Sequence, residues 1–341
     1  MHSSNGFMEQ IFPSSLAPSR RRLLQGAGAL SLASLLPGIS LAQSDLRGTT
    51  LRVATYKGGH KTLLETAGLA QTPYQIEWKE FNSGVQHIEA INADAIDMGS
   101  GSEIPPVFAA KAKASVKVIA VYHEDLNNQV TLTQKDAPIQ KVADLRGKRV
   151  GYVRATTSQL YLYLQLKEAG LSFDDIKAVN LSPSDGLSAF ARGDLDAWAI
   201  YGYNGQLART KHGARTLKTA VGYLSGNFLI YGNPKALQDA QRQAAMADLL
   251  QRLQKAYAWS NKNFLLYAKA QSAQTRVPVG DLVEIYNNRS QDGSLLATSD
   301  RAVASHQRVA DAFQAMGVLE GGADVRPLWD KTFNRYLGVQ A

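Results

Sequence analysis

The sequence predicts an α/β chain built as two lobes, each a mixed sheet flanked by helices. Three observations carry this. Alternating apolar runs of strand length are followed by helical patterns from residue 50 onward. That β-α order breaks off near Val130 and then restarts. The chain returns near Leu229-Ile230-Tyr231 and finishes in helices, so the second lobe (131–230) is inserted into the first (47–130 and 231–341).

Leu51 to Tyr56 alternates as a strand, Lys57-Gly58-Gly59 breaks it, and Leu63, Leu64 and Ala67 mark a helix. Tyr74 to Phe81 is a second strand. Asn82-Ser83-Gly84 turns into a helix carrying Val85, Ile88, Ile91 and Ala95. Asp97-Met98-Gly99 reads as a short strand end, Ile104 to Ala114 as a helix opened by Pro105-Pro106, and Val116 to Tyr122 as a strand. In the second lobe, Val130 to Thr133, Lys148 to Val153, Ile176 to Leu181 and Ala197 to Tyr201 are strands. Helices at Ser158 to Ala169 and Ser184 to Arg192 stop at Gly170 and Gly193, the residue type that ends helices without strain. Pro234 to Ala270, Asp281 to Asn287 and Asp300 to Met316 are helical.

Residues 1–42 read as a removable export signal. Ser19-Arg20-Arg21-Arg22-Leu23-Leu24-Gln25 is a twin-arginine signature, an apolar stretch runs from Gly26 to Ile39, and Ser40-Leu41-Ala42 supplies small residues for cleavage. The apolar stretch is too short and too rich in Gly and Ser to span a bilayer. Export outside the cytoplasm, into the periplasm, is the expectation. The remaining chain of about 300 residues suffices for two domains.

The net charge is +8; Arg20, Arg21, Arg22 and Glu9 account for +2, leaving +6 on the rest. The basic residues are spread out, with no patch interleaved with aromatics, which argues against nucleic-acid binding. Without cysteine, the chain has neither disulfides nor thiolate chemistry. His2, His60, His87, His123, His212 and His306 show no metal-ligand spacing, and no G-x-S-x-G, Walker A or H-E-x-x-H sequence occurs. His123-Glu124-Asp125 is the one compact polar cluster, placed at a hinge or cleft rim. The expectation is a chain that is not an enzyme and needs no metal or cofactor.

Several stretches together resemble the periplasmic substrate-binding proteins of ABC importers for aliphatic sulfonates, taurine and nitrate, the sulfonate branch most of all. They are Leu51 to Gly59, Trp78 to Gly84, Ala90 to Gly99, Ile104 to Ala110, Lys141 to Val150, Phe190 to Trp198 and Gln307 to Phe313. The resemblance implies a periplasmic-binding-protein type II fold whose lobes close over a cleft. It also implies a small anionic ligand, a sulfonate, and a membrane permease and cytoplasmic ATPase as partners. Two stretches depart from the family: Gly101-Ser102-Glu103-Ile104-Pro105-Pro106, and Tyr201-Gly202-Tyr203 where Trp-Asp-Pro is frequent. They leave open a different ligand, such as nitrate, taurine, an aryl sulfonate or a sulfate ester, or an enzyme or sensor on the same scaffold.

Ligands of open α/β sheets sit beyond the carboxyl ends of strands, at the starts of helices, where free N–H groups and the helix dipole favour an anion. Three loops qualify. Lys57 and Gly58 follow the first strand. Gly99 to Glu103 offers Ser100, Gly101, Ser102 and Glu103, with glycine permitting close backbone approach and serine adding donors. Arg154, Thr156, Thr157 and Ser158 open a helix, where a Ser or Thr is equally an ordinary cap. Gln159 and Tyr161 follow, facing either cleft or solvent. Trp198 lies against the organic part of a ligand or in the core, and Tyr201 and Tyr203 stand at a strand end.

Overall fold

The computed structural model describes residues 46–338; the expected export signal, 1–42, lies outside them, as do 43–45 and the last three residues. The described chain builds two mixed sheets. The first has six strands in the order β11-β4-β10-β3-β1-β2: β1 (Thr50–Thr55), β2 (Gln75–Glu80), β3 (Met98–Ser102), β4 (Lys117–His123), β10 (Asn227–Gly232) and β11 (Ser294–Leu296). The second has five, β7-β6-β8-β5-β9: β5 (Gln129–Thr133), β6 (Arg149–Tyr152), β7 (Lys177–Asn180), β8 (Ala197–Tyr201) and β9 (Arg215–Thr219). The chain leaves the first sheet after His123 and re-enters it at Asn227, so Leu229 and Ile230 belong to the first sheet.

Alternation along the strands explains the layers. In β10, Leu229 and Tyr231 face one apolar cluster and Ile230 faces another. One face of the first sheet packs α1 (His60–Thr66) and α8 (Ala240–Lys262) through Leu63, Leu64, Met246, Leu249 and Leu253. The other packs α2 (Gly84–Asn92), α3 (Ile104–Lys111) and α11 (Asp300–Ala315) through Ile88, Ile91, Val107 and Phe313. In β8, Ala197 and Ala199 meet Tyr161, Leu162 and Leu166 of α4 (Thr157–Glu168). Trp198 and Ile200 meet Phe190 of α5 (Pro183–Ala191) and Ala208 of α6 (Tyr203–His212). In both mixed sheets helices cover the two faces, as the parallel strand pairs within them require.

The two lobes repeat one device. At the start of β1, the Arg52 N–H donates to Asp97 Oδ2 at 2.8 Å and its Nη2 to Asp97 Oδ1 at 2.6 Å. At the start of β6, the Arg149 N–H donates to Asp196 Oδ2 at 2.8 Å and its Nη2 to Oδ1 at 2.9 Å. In each lobe a bidentate Arg–Asp fork ties the first residues of one strand to the residue just before its parallel neighbour. These aspartates hold the sheets together and lie away from the strands' carboxyl ends.

Three further helices, α7 (Pro234–Gln238), α9 (Phe264–Thr275) and α10 (Val279–Asn287), follow the return crossing. Leu282 packs with Ala268 and Val277, and Leu207 of α6 joins that cluster. Gln206 of α6 donates through Nε2 to Glu284 Oε2 of α10 at 2.8 Å, joining the second lobe to the C-terminal helices.

Candidate functional site: a tyrosine-walled cavity between the sheets

β1, β3 and β4 run parallel, as β10 is antiparallel to both β3 and β4, so their carboxyl ends share one edge. β6 and β8 are parallel in the second sheet. The loops after these strands enclose a cavity of about 480 Å³, within the range of small-molecule sites. Four helices start on its wall, at Gly59-His60, Ser83-Gly84, Thr156-Thr157 and Gly202-Tyr203. The Ser83 hydroxyl accepts the Gln86 N–H at 3.3 Å. Thr156 and Gly202 give no side-chain cap; the Gly205 N–H donates to the Gly202 carbonyl at 3.2 Å, and the first N–H groups of α4 and α6 are left without a side-chain partner at the cavity wall. The partial positive ends of two lobes thus converge on one space.

Aromatic rings form much of the wall. Tyr122 stacks on Tyr257 with centroids 6.0 Å apart and meets Phe228 at 5.5 Å. His60 packs edge-on against both tyrosines, and its Nε2 lies 2.9 Å from the Tyr257 hydroxyl. Tyr267 and Tyr286 add a second pair from α9 and α10, 5.9 Å apart. Burial pushes His60 down to about 4, so the ring is neutral at pH 7.

Charge is sparse and uneven. Lys57 is exposed at the cavity and makes no ion pair among the described residues. Arg289 is engaged, with Nε on Asp292 Oδ1 at 2.8 Å and Nη1 on the Tyr286 carbonyl at 2.8 Å. Asp125 accepts the N–H groups of Asn127 and Ser290, both at 2.8 Å. Glu124 lines the cavity with its side chain exposed to the solvent there, and crowding by the cavity wall first and the Asp125 charge second raise its carboxyl above the usual range.

Of the residues named from the sequence, Lys57, Gly58, Ser100, Gly101, Ser102, Thr156, Thr157 and Tyr201 line this cavity, and so does Tyr203. The segment expected as a loop, Gly99 to Ser102, is instead strand β3, paired antiparallel with β10. Its strand geometry is fixed by neighbours. The Tyr231 hydroxyl donates to the Ser102 carbonyl at 2.7 Å, and the Tyr56 hydroxyl to the Ser100 carbonyl at 3.0 Å. The Ser100 N–H donates to His87 Nδ1 at 3.0 Å, and burial pushes that ring down to about 4. The Ser100 hydroxyl is buried beside Tyr122 without a hydrogen bond of ordinary geometry.

Six residues lie elsewhere. Glu103 sits behind β3, accepting the Ser225 hydroxyl at 2.6 Å at the return crossing, and burial pushes it up to about 7. Arg154 is exposed outside the cavity lining. Ser158 is buried, its hydroxyl accepting the Val153 N–H at 3.0 Å, so it closes its own loop. Trp198 is core: strand alternation turns it onto Phe190, rings 5.9 Å apart, over Gly186, whose Cβ would lie 2.7 Å from the indole nitrogen. Tyr161 is core too, its hydroxyl donating to the carbonyls of Val130 and Ile200, and the Gln159 Oε1 accepts the Ala155 N–H.

Sequence reasoning missed Tyr122, Tyr257, Tyr267 and Tyr286, which arrive from separate elements. The polar run His123-Glu124-Asp125 was the one available signal, and all three residues line the cavity.

The family model "NMT1/THI5 like" matches residues 64–263. Over 316 residues the chain is 29% identical to an Escherichia coli (strain K12) relative named for binding aliphatic sulfonates, spanning 89% of this chain and 96% of that one. The crystal structure of the periplasmic aliphatic sulphonate binding protein SsuA from Escherichia coli superposes with a TM-score of 0.73. It is 26% identical and covers 85% of this chain and 92% of its own. The alkanesulfonate-binding protein SsuA from Xanthomonas axonopodis pv. citri, bound to MOPS, gives 0.73 at 25% identity, covering 83% and 99%.

Proposed function

The chain belongs to the NMT1/THI5-like family, and on that premise we propose that it is the solute-binding protein of an ABC importer, capturing a small organic sulfonate in the periplasm. The observation that carries the reading is the cavity at the carboxyl ends of both sheets, where helix starts from two lobes meet. Its likeness over most of the chain to proteins named for sulfonate binding supports the ligand class.

In this reading Lys57 neutralises the anion from the rim. The open N–H groups of α4 and α6 and the hydroxyls of Ser100 and Tyr201 supply donors for the sulfonate oxygens, while the Thr156 hydroxyl donates to the Val153 carbonyl at 2.7 Å. The tyrosine wall receives the organic group, which favours a substantial organic moiety over nitrate. The two lobes, parted by the crossings after His123 and before Asn227, close over the cavity and exclude water. Residues 1–42 direct export by the twin-arginine route, and the monomer delivers its ligand to a permease driven by a cytoplasmic ATPase.

The test is a thermal-shift panel of alkyl and aryl sulfonates, taurine, sulfate esters and nitrate. A ligand at about 100 times its Kd adds about 2.7 kcal/mol, a shift of a few degrees. A selective shift by sulfonates supports the reading; a panel in which none shifts the melt, or nitrate alone does, overturns it.

A further inference from the structure

Glu103 lies behind the main cavity, and its surroundings give it a different use. Its residue is only 6% exposed. A second, small cavity of about 10 Å³ adjoins it, walled by Glu103, Ile104 and Val309 from the first lobe and by Gln129, Thr157 and Leu160 from the second. Gln129 and Thr157 also line the main cavity, so this space adjoins the ligand's. Leu160 of α4 packs into the cluster of Ile104, Val107 and Val309 on the first sheet. The second lobe is therefore part of what keeps water from Glu103.

The carboxyl is half satisfied. Its Oε2 accepts the Ser225 hydroxyl at 2.6 Å, at the return crossing. Its Oε1 is buried without a hydrogen bond, and so is the Gln129 Oε1 on the same small cavity. Two buried acceptors and no donor is an arrangement that a carboxyl proton relieves and a carboxylate charge aggravates.

The neighbouring groups do not reverse this. Burial outweighs the side-chain hydrogen bonds of Ser225, Asn227 and Ser305 and the Arg308 charge on α11, and pushes Glu103 up to about 7. His306 of α11 is pushed down to about 4 by burial and Tyr231 of β10 well up, so both are neutral near pH 7. His123, at the end of β4, is pushed down by burial and bonds to Asn227. The second lobe's Gln129, Thr157 and Leu160 do not ionise. With α4 drawn away from α3 and α11, water reaches the carboxyl and its proton is released more readily. Closure is thus favoured fully below about pH 4.5, and that benefit is lost as pH rises through 7.

We propose that Glu103 couples ligand capture to proton uptake: lobes closing over a ligand seal its carboxyl in the protonated form, so capture tightens as the surroundings turn acidic. The proposal rests on the sulfonate reading only for the probe that closes the lobes.

Calorimetric titration of the full chain with pentane-1-sulfonate, whose own charge is fixed between pH 5 and 8, tests it. Titrations at pH 6 in two sulfonate-free buffers of unlike ionisation enthalpy count the protons taken up on binding. About one is expected for the natural chain and none for Glu103→Gln, whose side chain keeps the shape and stays neutral. The natural chain should also bind about tenfold or more tighter at pH 5.5 than at pH 8. No uptake by the natural chain overturns the proposal. Uptake that persists in Glu103→Gln also overturns it and assigns the proton to another group, such as Glu124 on the cavity wall. Should Glu103→Gln not fold, Ser225→Ala decides: it removes the hydroxyl that favours the carboxylate, so uptake must extend to higher pH, and an unshifted profile overturns the proposal. Should pentane-1-sulfonate not bind at any pH, the sulfonate reading is at fault, and small-angle scattering of the ligand-free chain decides the coupling alone. Its radius of gyration must grow from pH 5.5 to pH 8 in the natural chain and stay constant in Glu103→Gln; any other result overturns the proposal.

Discussion

Gly101 of β3 faces Gly84 at the first turn of α2: a Cβ on Gly101 would lie 3.2 Å from the Gly84 Cα. The same Cβ would come within 2.7 Å of the Tyr231 hydroxyl, which donates to the Ser102 carbonyl. Two missing side chains thus let a helix start rest on a central strand, directly beside the cavity.

Gly101→Ala is expected to displace the Tyr231 hydroxyl and push α2 outward. The stability loss should be about 1–3 kcal/mol by urea unfolding. A stability equal to that of the natural chain would mean the strand and helix adjust freely, and the close approach holds nothing in place.

The serines on either side of Gly101 should behave differently. The Ser100 hydroxyl has no ordinary partner, so Ser100→Ala should leave stability unchanged while weakening sulfonate binding by about 1 kcal/mol. The Ser102 hydroxyl accepts the Ile104 N–H at 3.4 Å at the start of α3, so Ser102→Ala should lower stability slightly. Melting and titration of both variants check the split; unchanged affinity in Ser100→Ala removes that hydroxyl from the site.

The two Arg–Asp forks should differ in weight. Asp97 is fully buried and also meets Arg242 Nη1 at 3.2 Å, so Asp97→Ala should cost about 2–3 kcal/mol by removing the carboxylate that Arg52 and Arg242 share, leaving them only Asp94 and Asp239. Asp196→Ala opens a more exposed pair and should cost far less. Comparable losses would refute this difference.

Buried acids and histidines set opposite pH trends. Glu103 is pushed up to about 7 by burial, so the proton it holds favours the folded state fully below about 4.5 and that benefit is lost as pH rises through 7. His60, His87 and His306 are pushed down to about 4 by burial, and their contribution is present above 6.5 and lost as pH falls through 4. Glu103→Gln removes one acid. Its stability relative to the natural chain should therefore improve from about pH 5 to 8, by an amount on the order of 2–3 kcal/mol. A difference that stays constant with pH in urea titrations would show that Glu103 ionises as freely as an unfolded carboxyl.

Lys57 offers a salt-dependent prediction. Lys57→Ala should weaken sulfonate binding by about threefold to tenfold at low ionic strength, and by less as salt rises. Identical affinities at every salt concentration would exclude the lysine from anion capture.

Strands that run continuously apolar, such as Ala197 to Tyr201, were legible in the sequence because burial of both faces writes itself into residue choice. Gly99 to Ser102 was not, since small polar residues read as a loop unless the partner strand β10 is known. Helix α6 was also missed: Tyr203 to His212 is polar and owes its place to a few small residues such as Gly205 and Ala208. Within the site, rim residues on strand ends follow from topology. Tyr257, Tyr267 and Tyr286 do not, because helical period reveals an inward face without saying whether it meets core or cavity.

The wall's composition also determines what light can report. Seven of the chain's 14 tyrosines line the cavity, and none of its four tryptophans, Trp78, Trp198, Trp259 and Trp329, does. Ligand entry therefore perturbs phenol chromophores directly while the indoles remain an internal reference. Near-ultraviolet difference absorption in the tyrosine band, normalised to steady indole emission, would read occupancy without any label.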